Sequence, residues 1–61
     1  MSRFNYAVKT EMSPDYFTVM RVGTLKHVTE WADFLDAHPE TIESRIVRES
    51  DGKIIREYKR R

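Results

Sequence analysis

Apolar and polar positions alternate along most of this chain, and the period changes once. From Arg3 to Thr10, Phe4, Tyr6 and Val8 alternate with Asn5, Ala7 and Lys9, the period of a half-buried strand. Glu11 to Asp15 follows as a loop, with Ser13-Pro14-Asp15 supplying turn chemistry. Tyr16 to Val22 is rich in β-branched and aromatic residues and predicts a second strand, antiparallel to the first across the short loop. Both of its sides carry apolar groups, which suggests a central strand. At Gly23 the period changes. Leu25, Val28, Trp31, Ala32 and Leu35 recur at helical spacing behind Thr24, an N-cap residue type, with Phe34 beside the stripe. Lys26, Glu30, Asp33 and Asp36 fall on the wetter side. The helix is expected to stop near His38, because Pro39 disfavours helical geometry in the residue before it.

Ile42 to Glu49 and Lys53 to Lys59 read as two further strands joined by a turn at Ser50-Asp51-Gly52. A two-residue Asp-Gly loop would set Ile46 against Glu57. A type I turn with Gly52 as a left-handed bulge residue sets Val47 against Ile55, Arg45 against Glu57 and Glu49 against Lys53. The second register matches like with like and is preferred. It places Ile42, Ile46, Ile54 and Tyr58 on a core face with Ser44, Arg48 and Arg56. Val47 and Ile55 fall on the other face. The fold class is therefore α+β: one domain over residues 1–61, a small antiparallel sheet in the order β-β-α-β-β with one helix on one face. Lys59 to Arg61 are expected to fray.

With 61 residues there is room for one thin core and no deep cleft. The absence of cysteine removes disulfides and thiolate metal sites, and favours a reducing, cytoplasmic setting. No apolar run approaches the ~20 residues of a membrane span, and the first residues lack a signal-peptide layout. No membrane partner is expected.

Candidate chemistry is sparse. His27 and His38 lack the converging ligands of a metal site. The carboxylate pairs Glu30/Asp33 and Asp33/Asp36 lie on the wet helix side, where nothing would split their pKa values. The two glycines cannot build a phosphate loop. No enzyme activity, metal or cofactor is expected.

Charge changes the picture more. The net charge is only +1, so the chain as a whole is no polycation. Yet residues 42–61 hold seven basic groups against four acidic, while residues 24–41 hold one against four. The ordinary reading of such blocks is solvated faces. A sharper one is a weak nucleic-acid binder with Arg48, Lys53, Arg56, Lys59, Arg60 and Arg61 along the last hairpin, and sheet aromatics as stacking platforms. Interrupting acids and the expected Arg45–Glu57 and Glu49–Lys53 pairs count against it. The favoured reading is a protein-binding module. Val47 and Ile55 make an apolar patch on the outer sheet face, extended by Phe17 and Val19 and ringed by Arg and Glu. The strand of Arg3 to Thr10 or that of Lys53 to Lys59 offers an open edge. A homodimer burying the patch is the alternative way to cover it.

The strand pair, the helix opened by Thr24-Leu25, Trp31 within it, Pro39 after it and the Arg45 to Arg48 strand together resemble small phage-encoded inhibitors of host enzymes. The coliphage inhibitor of bacterial RNA polymerase and the uracil-DNA glycosylase inhibitors of Bacillus phages share this layout. The likeness covers roughly residues 4–48. The Asp51-Gly52 hairpin with its last strand is additional, and this chain lacks the acidity by which the glycosylase inhibitors mimic DNA. The resemblance implies a stand-alone module that blocks or redirects a larger bacterial protein in the host cytoplasm. It implies Arg45, Arg48, Glu30 and Asp33 as contact residues.

Overall fold

A computed structural model describes residues 3–60. Four strands and one helix follow in the expected order: β1 (Phe4–Thr10), β2 (Ser13–Gly23), α1 (Leu25–Leu35), β3 (Thr41–Arg48) and β4 (Lys53–Lys59). The strands form one antiparallel sheet in the spatial order β2-β1-β3-β4. The helix packs on one face of it, and the other face is bare. Among the described residues no helix is long and apolar enough to cross a membrane.

The core is what the alternation in β1 predicts. Tyr6 and Val8 meet Ile46 of β3 and Val28 and Ala32 of α1, with Phe4 and Leu35 at the margin. The helix begins as expected. Thr24 is extended, and its hydroxyl accepts the His27 N–H at 3.1 Å. It stops at Leu35, earlier than His38. The Thr41 hydroxyl donates to the Leu35 carbonyl at 2.8 Å, and the His38 N–H donates to the same oxygen at 3.0 Å. These bonds satisfy a carbonyl that another helical turn would otherwise cover.

Asp36, expected on the wet side, turns inward instead. Its Oδ1 accepts the Tyr6 hydroxyl and the Ser44 hydroxyl, each at 2.6 Å. Its Oδ2 is buried with no hydrogen-bond partner. Tyr6 is fully buried, and burial, followed by the bond to Asp36, pushes its phenol well above the ordinary tyrosine range. The cluster ties β1, β3 and the end of α1 together.

Strand positions differ from the sequence expectation in three ways. β2 is an edge strand, while β1 is central and cannot be an open edge. β2 also begins at Ser13 and so contains Pro14, which an edge tolerates because its missing N–H can face away from the ladder. The apolar groups on both sides of β2 are explained by irregular pairing with β1, whose register shifts twice.

The third difference lies in the last hairpin. Gly52 is left-handed at φ +72°, as expected, but its N–H donates to Arg48, closing a four-residue turn over residues 49–52. Arg48 therefore pairs with Lys53, and Val47 with Ile54 rather than Ile55. One extra residue, Ile55, then restores the expected Arg45–Glu57 pairing. Ile54 thus joins Val47 on the outer face. Glu49 does not meet Lys53; it lies 3.8 Å from Arg3 across the sheet. Arg60, expected to fray with Lys59 and Arg61, is held, while Arg61 lies outside the described residues. The Arg60 N–H donates to Ile42 at 2.8 Å, and the Arg60 side chain reaches Pro39 and Glu11.

Candidate protein-binding face

The bare face is assembled from the outward residues of all four strands. One cross-strand row runs Val22, Asn5, Val47, Ile54. The next runs Val19, Ala7, Arg45, Glu57. Val19, Val22 and Ile54 are all exposed, at 54%, 37% and 41% of their surface, and form most of the apolar content of the first two rows. Lys9 and Glu43 pair in the third row, 3.8 Å apart.

Phe17 and Arg45 form the centre of this face. The Arg45 Cζ lies 4.0 Å from the Phe17 ring centre, although β1 runs between their two strands. The side chain must therefore cross Ala7, its register neighbour, which is only 3% exposed. A methyl at position 7 leaves room for that crossing; a longer side chain would fill it. Lys9 also sits over the ring, with Nζ at 4.9 Å. Two cations thus approach one aromatic ring. Glu57 opposes Arg45 in the ladder but forms no ion pair with it. Arg45 Nε is buried and has no hydrogen-bond partner.

The basic hairpin is organised differently. Arg48 grips Asp51 through two bonds of 3.1 and 2.7 Å. That grip, with a further bond from the Lys53 N–H, holds the Asp51 carboxyl down at about 2. The same carboxylate raises Arg48 above its ordinary value. Arg56 reaches Asp33 on the helix at 2.8 Å, and Arg60 reaches Glu11 at 2.9 Å. Lys53 and Lys59 have no carboxylate partner among the described residues. Arg61 lies outside the described residues.

The expected contact residues are therefore divided. Arg45 and Val47 lie together on the outer face. Ile55 is the inserted residue of β4, and Arg48 is engaged within its own turn. Glu30 and Asp33 lie on the helix, on the opposite side of the sheet. Asp33 holds Arg56, while Glu30 borders a shallow groove of about 260 Å³ with Trp31 and Phe34. There the two rings meet edge to face at 6.0 Å, and Arg21 from β2 stacks on Trp31 at 3.9 Å. Val22, Ile54 and Ala7 escaped the sequence reading as face residues. The only available signal was the small Ala7 in the outward alternation of β1, flanked by Asn5 and Lys9.

Among the described residues no group of three His, Asp or Glu side chains could hold a metal ion. No family model matches the chain, and no curated protein or solved structure matches it, so its function has to be read from this surface.

Proposed function

We propose that this chain is a non-catalytic protein-binding module that occupies a surface of a larger bacterial protein. It acts as an inhibitor or adaptor in the manner of the small phage-encoded proteins it resembles, in the host cytoplasm. The observation that carries this reading is the uncovered sheet face. It combines exposed aliphatic residues from β2 and β4, and the half-buried Val47 of β3, with a central aromatic–arginine stack and a charged margin. Protein interfaces favour this composition: an apolar, aromatic and arginine centre inside a polar rim.

The pairing of the basic residues weighs against a nucleic-acid surface. Phosphate binding draws on cations free to replace counterions. Arg48, Arg56 and Arg60 are each committed to a carboxylate.

The test is capture from bacterial lysate with the tagged protein, with and without nuclease, at ~150 mM salt, where exposed charges beyond ~8 Å are screened. A Val47→Asp/Ile54→Asp double variant is run alongside. The expected result is a stoichiometric protein retained by the wild type and lost by the variant, whose melting temperature and circular dichroism stay unchanged. Recovery of nucleic acid alone, with all protein lost after nuclease, would overturn the reading.

A further inference from the structure

The six arginines among the described residues do not share one fate. Arg3, Arg48, Arg56 and Arg60 each lie against a carboxylate. Arg21 stacks on Trp31 and donates to the Met20 carbonyl at 2.8 Å. Arg45 alone stacks on an aromatic ring without an acceptor for its buried Nε–H. Stacking engages the face of a guanidinium and leaves its edge, where all five N–H donors lie. The Nε–H is closed to solvent, but the two Nη groups are not buried and have no hydrogen-bond partner among the described residues, so an acceptor from outside can meet them. The planar fork is matched by a carboxylate, which takes two parallel hydrogen bonds.

The surroundings select the class of acceptor. Phe17 holds the guanidinium in place, and Ala7 lies beneath its path. Val19 and Val47 neighbour Ala7 and Arg45 along the rows and strands, so a docked partner would exclude water from the contact. Lys9 adds positive charge over the same ring and is only partly offset by Glu43, at 3.8 Å. One fork beside Ala7, Val19 and Val47, with Glu57 opposite it in the ladder but not bonded to it, fits a single carboxylate on an apolar protein surface. A phosphate backbone would instead call for several free cations in line.

We propose that Arg45, held on Phe17, receives the carboxylate of an Asp or Glu side chain from a protein docked on the outer sheet face. This inference rests on the protein-binding reading and names the chemistry of the partner at that face.

The experiment is a nuclear magnetic resonance titration of the 15N-labelled chain. It follows the Arg45 Nε–H and the backbone amides of Ala7, Val19 and Val47. Three probes are used: a capped Leu-Glu-Leu-Gly peptide, its Leu-Gln-Leu-Gly counterpart, and a thymidine oligonucleotide. The glutamate peptide should shift the Arg45 Nε–H and bind about tenfold more tightly than the glutamine peptide, the strength of a hydrogen bond to a charged group. That preference should vanish in Arg45→Gln and shrink in Arg45→Lys, which keeps the charge without the fork. The melting temperature of each variant shows that it is folded, and Arg45→Lys serves if Arg45→Gln is not. Equal binding of the two peptides would overturn the carboxylate assignment alone. A larger Arg45 shift with the oligonucleotide would overturn it in favour of phosphate. No shift at Arg45 from either peptide would also overturn it. A captured partner sensitive to Val47→Asp/Ile54→Asp would then leave the protein-binding reading standing.

Discussion

Replacing Tyr6 with Phe removes one oxygen from the centre of the molecule, and the cost can be estimated. The Tyr6 hydroxyl donates to Asp36 Oδ1 at 2.6 Å, and the Oδ2 of that carboxylate is already buried without a partner. Loss of the bond leaves Ser44 as the sole side-chain donor to Asp36. Hydrogen bonds to charged groups contribute about 1.5–3 kcal/mol. A chain of this length has a total stability of roughly 3–9 kcal/mol at ordinary per-residue values. The variant should therefore lose a large fraction of it, and each lost kcal/mol lowers the melting temperature of so small a domain by about 4–8 °C. The pH dependence gives an independent check. Burial raises the Tyr6 phenol, so the folded state keeps a proton that the unfolded state releases from the ordinary value of 10.0 upward. Its contribution is complete below that pH and falls as pH rises toward the elevated folded value. Thermal melts by circular dichroism from pH 7 to 11 should show the wild type losing stability above about pH 10, the tyrosine value. Tyr6→Phe should start lower and fall less steeply. A melting temperature within 2 °C or so of wild type, or an unchanged alkaline limb, would refute the role given to this cluster.

Two further substitutions probe the turn and the outer face. Asp51→Asn should lower the melting temperature at pH 6. The Asp51 carboxyl is depressed from 3.8 to about 2, so its contribution is present above the unfolded value and is lost as pH falls toward 2. The gap between variant and wild type should close over that window, and a gap constant with pH would show that the charge on Asp51 is not what matters. Ala7→Leu should block the path by which Arg45 reaches Phe17. It should abolish the ring-current shift of the Arg45 Nε–H while the core amides of Val28 and Ile46 stay in place; an unmoved Arg45 resonance would contradict the crossing over Ala7.

Local signals were legible in the sequence where one element sufficed to produce them. The helical stripe, the Thr24 cap, the left-handed Gly52 and the alternation of β1 each follow from neighbours a few residues apart. What escaped depended on partners distant in the chain. Asp36 lies at the helix end, and its inward turn requires hydroxyls from Tyr6 and Ser44, which only the folded sheet brings to it. The expected Arg45–Glu57 register holds, but the ion pair expected with it does not form, because Phe17, two strands away, takes the guanidinium. The face assignment of Ile54 and Ile55 failed through one residue: the longer turn shifts the register and the extra residue in β4 restores it. The edge position of β2 was hidden because its irregular pairing puts apolar groups on both sides, as a central strand would.

Site-specific photo-crosslinking in living bacteria tests the central claim, that the bare sheet face is the working surface. The crosslinking residue is placed at Val47 on the outer face or at Lys26, exposed on the helix side. The account predicts one discrete protein adduct from position 47, insensitive to nuclease, and none from position 26. An adduct from position 26 alone, or only nucleic-acid adducts from position 47, would contradict it.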